Sequence, residues 1–262
     1  YVVVKWPRFA FEKFRGADPR LTTQMRSVGE VMAIGRTWKQ AIQKAARSLE
    51  IGRDGLVSLR EKVDYREVVD EVRTLKTRSE GIGELQAHTP GGEMTLPPAT
   101  DEELLDALLE LVRTPLADRL WYMTDALRLG ASVDHLHELT KIDRWFIVQL
   151  EQVVAAEREL AEAELLTAPL LAWSKELGFS DRQIAQLRGL TVAEVRALRV
   201  QNDVRPIYAR VDTCAAEFVA HTPYLYSTYG RDSEVNPTER DKIMILGSGP
   251  NRIGQGIEFD YC

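Results

Sequence analysis

The chain has 262 residues, of which 44% are hydrophobic and 28% charged, the balance of a globular protein large enough for one large domain or two small ones. Its net charge of −6 at pH 7 lacks the basic excess expected for general binding to nucleic acid or to an anionic membrane. The two cysteines make no disulfide framework or zinc spacing, which favours a reducing cytoplasm, and no apolar run is long enough to span a bilayer.

The first fifty residues predict two strands followed by a helix. Residues 2–6 and 27–35 are apolar β-type runs, and Glu30 is the single acid within the second. We expect Glu30 to lie on a solvated face, because a buried acid would need a charged partner. Thr37 and Gln40 then form a capping box that begins an amphipathic helix.

The middle of the chain, from about residue 51 to 240, changes to a helical pattern. Glycine and proline crowd the region 79–100, which predicts an exposed loop. After it, residues typical of helix N-termini recur in step with apolar faces: Thr100 with Glu103, Thr114 before Pro115, Ser132, and Thr140 at the start of a long helix. Three short helices are expected near 170–177, 182–187 and 192–198. Such a series predicts a helical domain.

The helical part shows no pattern for metal binding or nucleophilic catalysis. His135 and His137 are two residues apart, so they do not share a helix face. Trp121, Trp145 and Trp173 occupy apolar helical positions, and we expect them in the core.

One pair of short helices supports an alternative function. Residues 179–199 have the rhythm of a helix-turn-helix, with two capped helices and Gly189 in the turn. Arg196 and Arg199 would then line the recognition helix of a regulatory DNA-binding protein. Many structural helix pairs share this rhythm and the chain is acidic, so DNA binding is kept as the alternative.

The end of the sequence predicts a strand and a glycine loop. Residues 243–246 form a short apolar run typical of a strand buried on both faces, and glycines follow at 247, 249, 254 and 256. The dinucleotide-binding fingerprint is incomplete, because Arg252 stands where its third glycine belongs, and the Gly-Lys pair of a P-loop is missing. A single strand cannot bury its own faces, and the chain begins abruptly in a β-type run, so we interpret both ends as cut.

Motifs spread over nearly the whole chain point to one family. They are Pro7-Arg8-Phe9, Phe11-Glu12-Lys13-Phe14, the segment 21–37, Ile142-Asp143-Arg144-Trp145-Phe146, the segments 211–218 and 224–229, and the glycine loop 249–261. In this order they closely resemble the large chain of glutamine-dependent carbamoyl-phosphate synthase. The region from about 52 to 100 departs most from the family pattern.

The resemblance implies a mainly α chain with truncated α/β ends of the ATP-grasp fold. Residues 1–50 would be the end of the first half, which makes carboxyphosphate and carbamate. Residues 51–240 would be the helical oligomerisation domain. Residues 241–262 would be the first strand and glycine loop of the second half, which phosphorylates carbamate.

The resemblance also implies a function. The intact enzyme is a cytoplasmic ligase that makes carbamoyl phosphate from ATP, bicarbonate and glutamine-derived ammonia, for arginine and pyrimidine biosynthesis. It uses ATP with Mg or Mn and K, and a glutaminase small chain. The carboxylates that bind phosphate and metal lie in other parts of that enzyme. We therefore expect this chain to join the halves and form homo-oligomers, to be inactive alone, and to hold no catalytic, cofactor or metal residue.

The family's carbamate tunnel gives the expected site residues. By motif, Glu30, Arg252, Gly256 and Glu258 match positions that line it. Carbamate decomposes in bulk water, so it needs a shielded path between the two ATP sites, and paired charges can line such a path while satisfying each other. Arg252 and Glu258 are also compatible with a structural ion pair at a domain junction.

Overall fold

The computed structural model describes residues 1–13, 16–60, 65, 67, 100–245 and 251–252. The chain forms two compact units: the first contains residues 1–10, 27–57 and 155–262, and the second contains residues 11–26 and 58–154. Eight α-helices dominate the described part, so the expected mainly α class is confirmed.

The elements have the following bounds. The helices are α1 (Trp38–Ser48), α2 (Asp101–Arg113), α3 (Arg119–Arg128), α4 (Val133–Thr140), α5 (Arg144–Glu162), α6 (Ala168–Glu176), α7 (Asp181–Arg188) and α8 (Val192–Gln201), with a 3-10 turn at Phe11–Lys13. The strands are β1 (Val2–Arg8), β2 (Gly29–Gly35), β3 (Ile207–Arg210), β4 (Leu225–Thr228) and β5 (Asn251–Arg252).

The first unit contains two small antiparallel sheets. In one, β2 lies between β1 and β5; in the other, β3 pairs with β4. The β1–β2 pair runs in register from Val2 opposite Gly35 to Arg8 opposite Gly29, which confirms both strands predicted near the N-terminus. One face of this pair is buried through Trp6, Val31 and Ala33, and α1 packs against both strands.

Helix α1 begins as predicted, but the second bond of its capping box is wrong. The Thr37 side chain accepts the backbone N–H of Gln40, as expected. The Gln40 side chain does not return to Thr37; its Oε1 accepts the Arg36 N–H at 2.8 Å and the Thr228 hydroxyl at 2.7 Å. Gln40 is buried against β4, and the Thr228 hydroxyl there needs an acceptor, so a tertiary partner replaces the local one.

The turn between α6 and α7 approaches the backbone of α1 closely at Gly178. A Cβ at position 178 would lie 2.9 Å from the Gln40 Cα, and Gly178 has φ +94°, a conformation that L-residues rarely adopt. The buried Gln43 side chain bridges the two elements: its amide donates to the Leu177 carbonyl at 3.2 Å, and its oxygen accepts from Gln183 at 3.0 Å. A close backbone contact and buried polar bonds therefore fix α1 on this turn.

The second unit is helical. Its largest fully buried side chains are those of Leu59, Tyr65, Leu108, Leu111, Trp121, Met123, Leu136, Ile147 and Leu150. The capping box of Thr100 and Glu103 at the start of α2 and the Ser132 cap of α4 are both confirmed.

Two predicted helix starts in the second unit are wrong. Thr114 ends α2 instead of starting α3, which begins at Arg119. Thr140 is the last residue of α4, and its hydroxyl bonds back to the Leu136 carbonyl at 2.7 Å. The left-handed Lys141 turns the chain, and Asp143 accepts the N–H of Trp145 at 2.8 Å where α5 begins. A hydroxyl residue fits both ends of a helix, so it does not by itself decide between them.

A buried carboxylate anchors the segment before α2. The Asp125 side chain is fully buried on α3 and accepts the Leu59 N–H at 2.9 Å and the Tyr65 hydroxyl. Arg128 neutralises it across one helical turn at 2.7 Å. Burial, followed by the charge of Asp125, raises the pKa of Tyr65 above its ordinary value.

The strand predicted at 243–246 is wrong over the residues that the structure describes. Ile243, Met244 and Ile245 have no regular structure and are exposed to 92%, 84% and 88%. A two-faced strand needs a neighbour for its backbone bonds, and no described strand pairs with this run. Leu246, the four glycines that follow and residues 79–99 of the predicted loop lie outside the described residues.

We predict that Gly178→Ala lowers the free energy of unfolding by about 2–4 kcal/mol, because strain from a positive φ adds to a clash with the α1 backbone. Gly52→Ala is the matched control: Gly52 has φ +74° but nothing within 4 Å of its Cβ position, so only the strain of about 1–2 kcal/mol applies. Urea unfolding followed by circular dichroism measures both. Equal losses would contradict the close contact of α1.

We predict that Asp125→Ala lowers the free energy of unfolding by about 3–5 kcal/mol, because it leaves the largely buried Arg128 without its counter-ion. Asp134→Ala removes the exposed carboxylate that pairs with Arg144, and it should cost under about 1 kcal/mol. Urea denaturation of the two variants tests the contrast. A small effect of Asp125→Ala would show that the buried carboxylate is not an anchor.

Candidate functional site

Glu30 lies on the solvated face of β2, as the sequence predicts. Its carboxylate pairs with Lys5 of β1, with 2.8 Å between Oε2 and Nζ, and the two side chains are 40% and 59% exposed. Val3 and Met32 are exposed on the same face. An ion pair this exposed contributes at most about 1 kcal/mol to stability, so fold stability does not explain the pair.

Arg252 is placed on the strand next to Glu30. In the antiparallel β2–β5 pair, Arg252 lies opposite Gly29 and Asn251 lies opposite Glu30. Two of the four expected tunnel residues thus lie on neighbouring strands. Gly256 and Glu258 lie outside the described residues, so the tunnel role stays a prediction.

Helices α7 and α8 form the helix pair on which the alternative DNA-binding function depends. Ser180 with Gln183 and Thr191 with Glu194 make complete capping boxes, and Gly189 ends α7 with φ +63°. The two helices contact each other. Residues 179–199 therefore form the pair of helices and the turn that the sequence predicts.

The arginines of this pair do not form a recognition surface. Arg199 uses Nε and Nη2 to bind Asp181 at 3.0 and 2.7 Å, and its Nη1 donates to the Val204 carbonyl at 3.1 Å. Arg188 donates to backbone carbonyls at the end of α5, including those of Leu160 and Ala161. Of the two arginines expected to contact DNA, only Arg196 is exposed, so the geometry does not support DNA binding.

A charged cluster, made of Lys175, Asp181, Arg199 and Tyr229, holds α6, α7 and α8 together. The buried Lys175 donates to the Phe179 carbonyl at 2.6 Å and to Asp181 at 2.8 Å. The Tyr229 ring lies beside the two cations, with its centroid 5.2 Å from the Lys175 Nζ and 6.0 Å from the Arg199 Cζ. Cation–π contacts of this kind add to the ion pairs.

Burial and ion pairing shift the pKa values in this cluster in opposite directions. Burial disfavours the Asp181 carboxylate, but hydrogen bonds from Arg199 and Lys175 outweigh it, and the pKa of Asp181 lies below its ordinary value. For Lys175, burial dominates over the attraction of Asp181 and lowers the pKa to about 8. Lys175 is thus a cation that the fold holds at some energetic cost.

Helix α1 carries two further cations, Lys44 and Arg47. The Lys44 Nζ donates to the carbonyls of Ile34 at 3.0 Å and Ser227 at 2.7 Å. The Arg47 Nη1 donates to the Gly178 carbonyl at 2.6 Å. Burial lowers the pKa of Lys44 to about 8 and that of Arg47 below its ordinary value.

Sequence reasoning missed the polar side of α1 and the charged cluster. It counted only the apolar residues of α1, although Gln40 and Gln43 interrupt that face and are both buried. Those interruptions are the one signal that a polar junction leaves in the sequence. Their partners lie too far along the chain for spacing to reveal them; Gln43 and Gln183 are 140 residues apart.

The expectation for the tryptophans is only partly confirmed. Trp121 is buried in the core of the second unit. Trp145 is 52% exposed and stacks edge to face with the exposed Phe146, with ring centroids 5.0 Å apart. The apolar face of α5 begins at Ile147 and Leu150, which are buried, so the core prediction for Trp145 is wrong.

The described residues form neither a metal cluster nor a membrane-spanning helix. Within them, no group of three or more His, Cys, Asp or Glu side chains is arranged to hold a metal ion. The His137 Nδ1 lies 2.7 Å from the Ile142 carbonyl, while His135 is exposed. No helix in the described part of the chain combines the length and the apolar character that crossing a bilayer demands.

Comparison with protein families gives two matches. A family model described as "Carbamoyl-phosphate synthetase large chain, oligomerisation domain" matches residues 30–80 and 81–203, which is more than half of the chain. A second model, described as "Carbamoyl phosphate synthase preATP-grasp domain", matches residues 239–262.

Comparison with curated proteins finds similar large chains from several bacteria. The chain is 47% identical to the carbamoyl phosphate synthase large chain of Vibrio cholerae, 46% identical to that of Pseudomonas aeruginosa and 49% identical to that of Xanthomonas axonopodis pv. citri. Each alignment covers 100% of this chain but 21% of the relative, so the chain spans about a fifth of the length of the curated relatives it matches.

We predict that the stability contributed by Lys175 rises with pH. An unfolded lysine stays protonated up to about pH 10.5, whereas Lys175 in the fold loses its proton near pH 8. Between these values the unfolded chain binds more protons, so alkaline pH favours the folded state at this site. Relative to Lys175→Met, the wild type should gain on the order of 1 kcal/mol between pH 7 and pH 9.5 in urea unfolding.

The exposed Lys5, replaced in Lys5→Met, is the matched control for this comparison. If the difference in unfolding free energy between the wild type and Lys175→Met stays constant with pH, burial does not outweigh the attraction of Asp181 at Lys175.

Proposed function

The chain belongs to the carbamoyl-phosphate synthase large-chain family, and we propose that it is the part of such a large chain that joins two synthetic halves and mediates self-association. The observation that carries the proposal is the match of the family's oligomerisation domain to residues 30–80 and 81–203, which include all eight described helices and all of β2 but its first residue. A helical region that buries apolar surface against a copy of itself forms an isologous interface.

The surface of the described residues supports a role in assembly. Trp145 and Phe146 present adjacent aromatic rings at the start of α5, and both are exposed. Aromatic side chains are enriched in the cores of protein interfaces, and clustered exposed apolar groups mark contact surfaces. Such groups are suited to contacts with other parts of a large chain or with a second copy.

We further propose the activity of the whole protein. The relatives carry the name carbamoyl phosphate synthase large chain. The proposed reaction is the ATP-dependent synthesis of carbamoyl phosphate from bicarbonate and glutamine-derived ammonia, in the cytoplasm, for arginine and pyrimidine biosynthesis. In this proposal, ATP, Mg or Mn, and K bind in flanking ATP-grasp halves, ammonia comes from a glutaminase small chain, and the present residues carry out no catalytic step.

Carbamate passage is part of this proposal. In this proposal the motif assigns Glu30 and Arg252 to the lining of the path; Glu30 pairs with Lys5 of β1, and Arg252 lies on β5 opposite Gly29, the neighbour of Glu30. Gly256 and Glu258 would extend this lining. An ion-paired lining suits a path for an anion that must stay out of bulk water, because its charges are satisfied without a bound ligand.

We predict that the chain self-associates. Light scattering behind a sizing column, over a wide concentration range, should give a mass of at least twice 29.7 kDa at the higher concentrations. Added duplex DNA should leave that mass unchanged, because Arg199 is engaged with Asp181. A monomer at every concentration would contradict self-association, and a mass that rises only with DNA would favour the helix-turn-helix function.

A further inference from the structure

Lys44 and Arg47 are two partly buried cations that form no ion pair with an acid among the described residues. They lie three residues apart on α1, so they share one helix face. Each donates to backbone carbonyls, Lys44 to those of Ile34 and Ser227 and Arg47 to that of Gly178. Within the described part of the chain, no carboxylate lies in ion-pairing distance of either one.

The carboxylates nearest to this pair already have partners. Asp181 binds Lys175 and Arg199, at 2.8 and 2.7 Å. Asp54 binds Arg182 at 3.1 Å. Both acids lie close enough to attract Arg47 electrostatically, but each is engaged by other cations. Arg47 therefore lies near two carboxylates without forming an ion pair to either of them among the described residues.

Arg47 has an unused binding edge. Its Nη1 donates to the Gly178 carbonyl. Its Nε and Nη2 donate to nothing among the described residues, and both atoms keep some exposure to solvent. This edge of a guanidinium can bind two phosphate or carboxylate oxygens through parallel hydrogen bonds. The same edge of Arg199 binds an anion in this fold, donating both N–H groups to one oxygen of Asp181. The Tyr229 hydroxyl lies close enough to Arg47 to interact with it electrostatically.

Partly buried charges without counter-ions are unfavourable. Burial lowers the pKa of both cations, and their mutual repulsion lowers that of Lys44 further, to about 8. Taking a cation from water costs free energy that a nearby anion offsets. A bound anion would relieve this cost, and two neighbouring cations attract a phosphate dianion more strongly than a singly charged carboxylate.

We propose that Lys44 and Arg47 of α1, beside Tyr229, form a binding site for a phosphate group. The Nε–Nη2 edge of Arg47 binds two phosphate oxygens, and the Lys44 ammonium contributes its remaining N–H and its charge. The site adjoins the Gly178 turn and β4, so a bound phosphate would tie these elements more tightly to α1.

Isothermal titration calorimetry with inorganic phosphate, at constant ionic strength set with chloride, tests the site. The wild-type chain should show saturable binding. Arg47→Gln and Lys44→Gln should each weaken it about tenfold or more, because each removes a charge-assisted contact. Arg196→Gln removes the same charge from the exposed surface of α8 and should leave binding unchanged.

Two further titrations distinguish phosphate from carboxylate ligands and test the contribution of Lys44. Acetate should bind more weakly than phosphate, and saturable binding of acetate alone would overturn the phosphate assignment. Sulfate keeps its charge between pH 7 and pH 9, so its binding should weaken over that range as Lys44 loses its proton.

Two results would overturn the site altogether. One is the absence of saturable binding of any of these anions to the wild type. The other is unchanged affinity in the folded variants. Circular dichroism checks folding, and Lys44→Gln carries the test if the loss of the bond to Gly178 unfolds Arg47→Gln.

Discussion

The direct contact of the α1 backbone with Gly35 and Gly178 is the constraint on which the first unit depends. A Cβ at Gly35 would lie 3.0 Å from the Ala41 nitrogen, and one at Gly178 would lie 2.9 Å from the Gln40 Cα, so neither position has room for a side chain. The helix therefore lies directly on the end of β2 and on the α6–α7 turn. Gln40 and Gln43 satisfy the polar groups that this close approach buries, because their amides bond across to β4, to the turn and to α7.

This constraint connects elements of the first unit that lie far apart in the sequence. One face of α1 holds β2, the strand that carries Glu30 and pairs with Arg252. Its polar side holds the α6–α7 turn and β4, which belong to parts of the chain far away in sequence. Cations concentrate at the same place, since Lys44 and Arg47 and the charged cluster of Lys175 and Arg199 meet there. The junction is thus stabilised by close packing and by hydrogen bonds from these cations to backbone carbonyls and to Asp181.

Local signals in the sequence predicted most helix starts, but they failed at Thr114 and Thr140, where a hydroxyl residue fits either end of a helix, and where a distant partner decides the outcome. The N-caps at Thr37, Thr100 and Ser132 are confirmed, because an N-cap bonds within three residues of itself, and both helices of the 179–199 pair are capped as expected. The strand predicted at 243–246 is wrong for its described residues because a strand exists only through a neighbour. The exposed Trp145 could not be told from a core residue by periodicity alone. For the expected tunnel site, the motif identified Glu30 and Arg252 but could not predict the strand register that places them. Lys44 and Arg47 could not be recognised as a site from the sequence, because their partners are backbone carbonyls of other elements.

Native-state hydrogen exchange, read residue by residue, tests most directly whether α1 joins these elements into one cooperative unit. If it does, the amides of α1, β2 and α7 will exchange with the same free energy of opening and the same dependence on denaturant, because none of them can open while the contacts at Gly35 and Gly178 persist. If α7 or β2 opens at much lower free energy while α1 stays protected, α1 is only a neighbour of these elements, and its contacts are not the constraint that holds the first unit together.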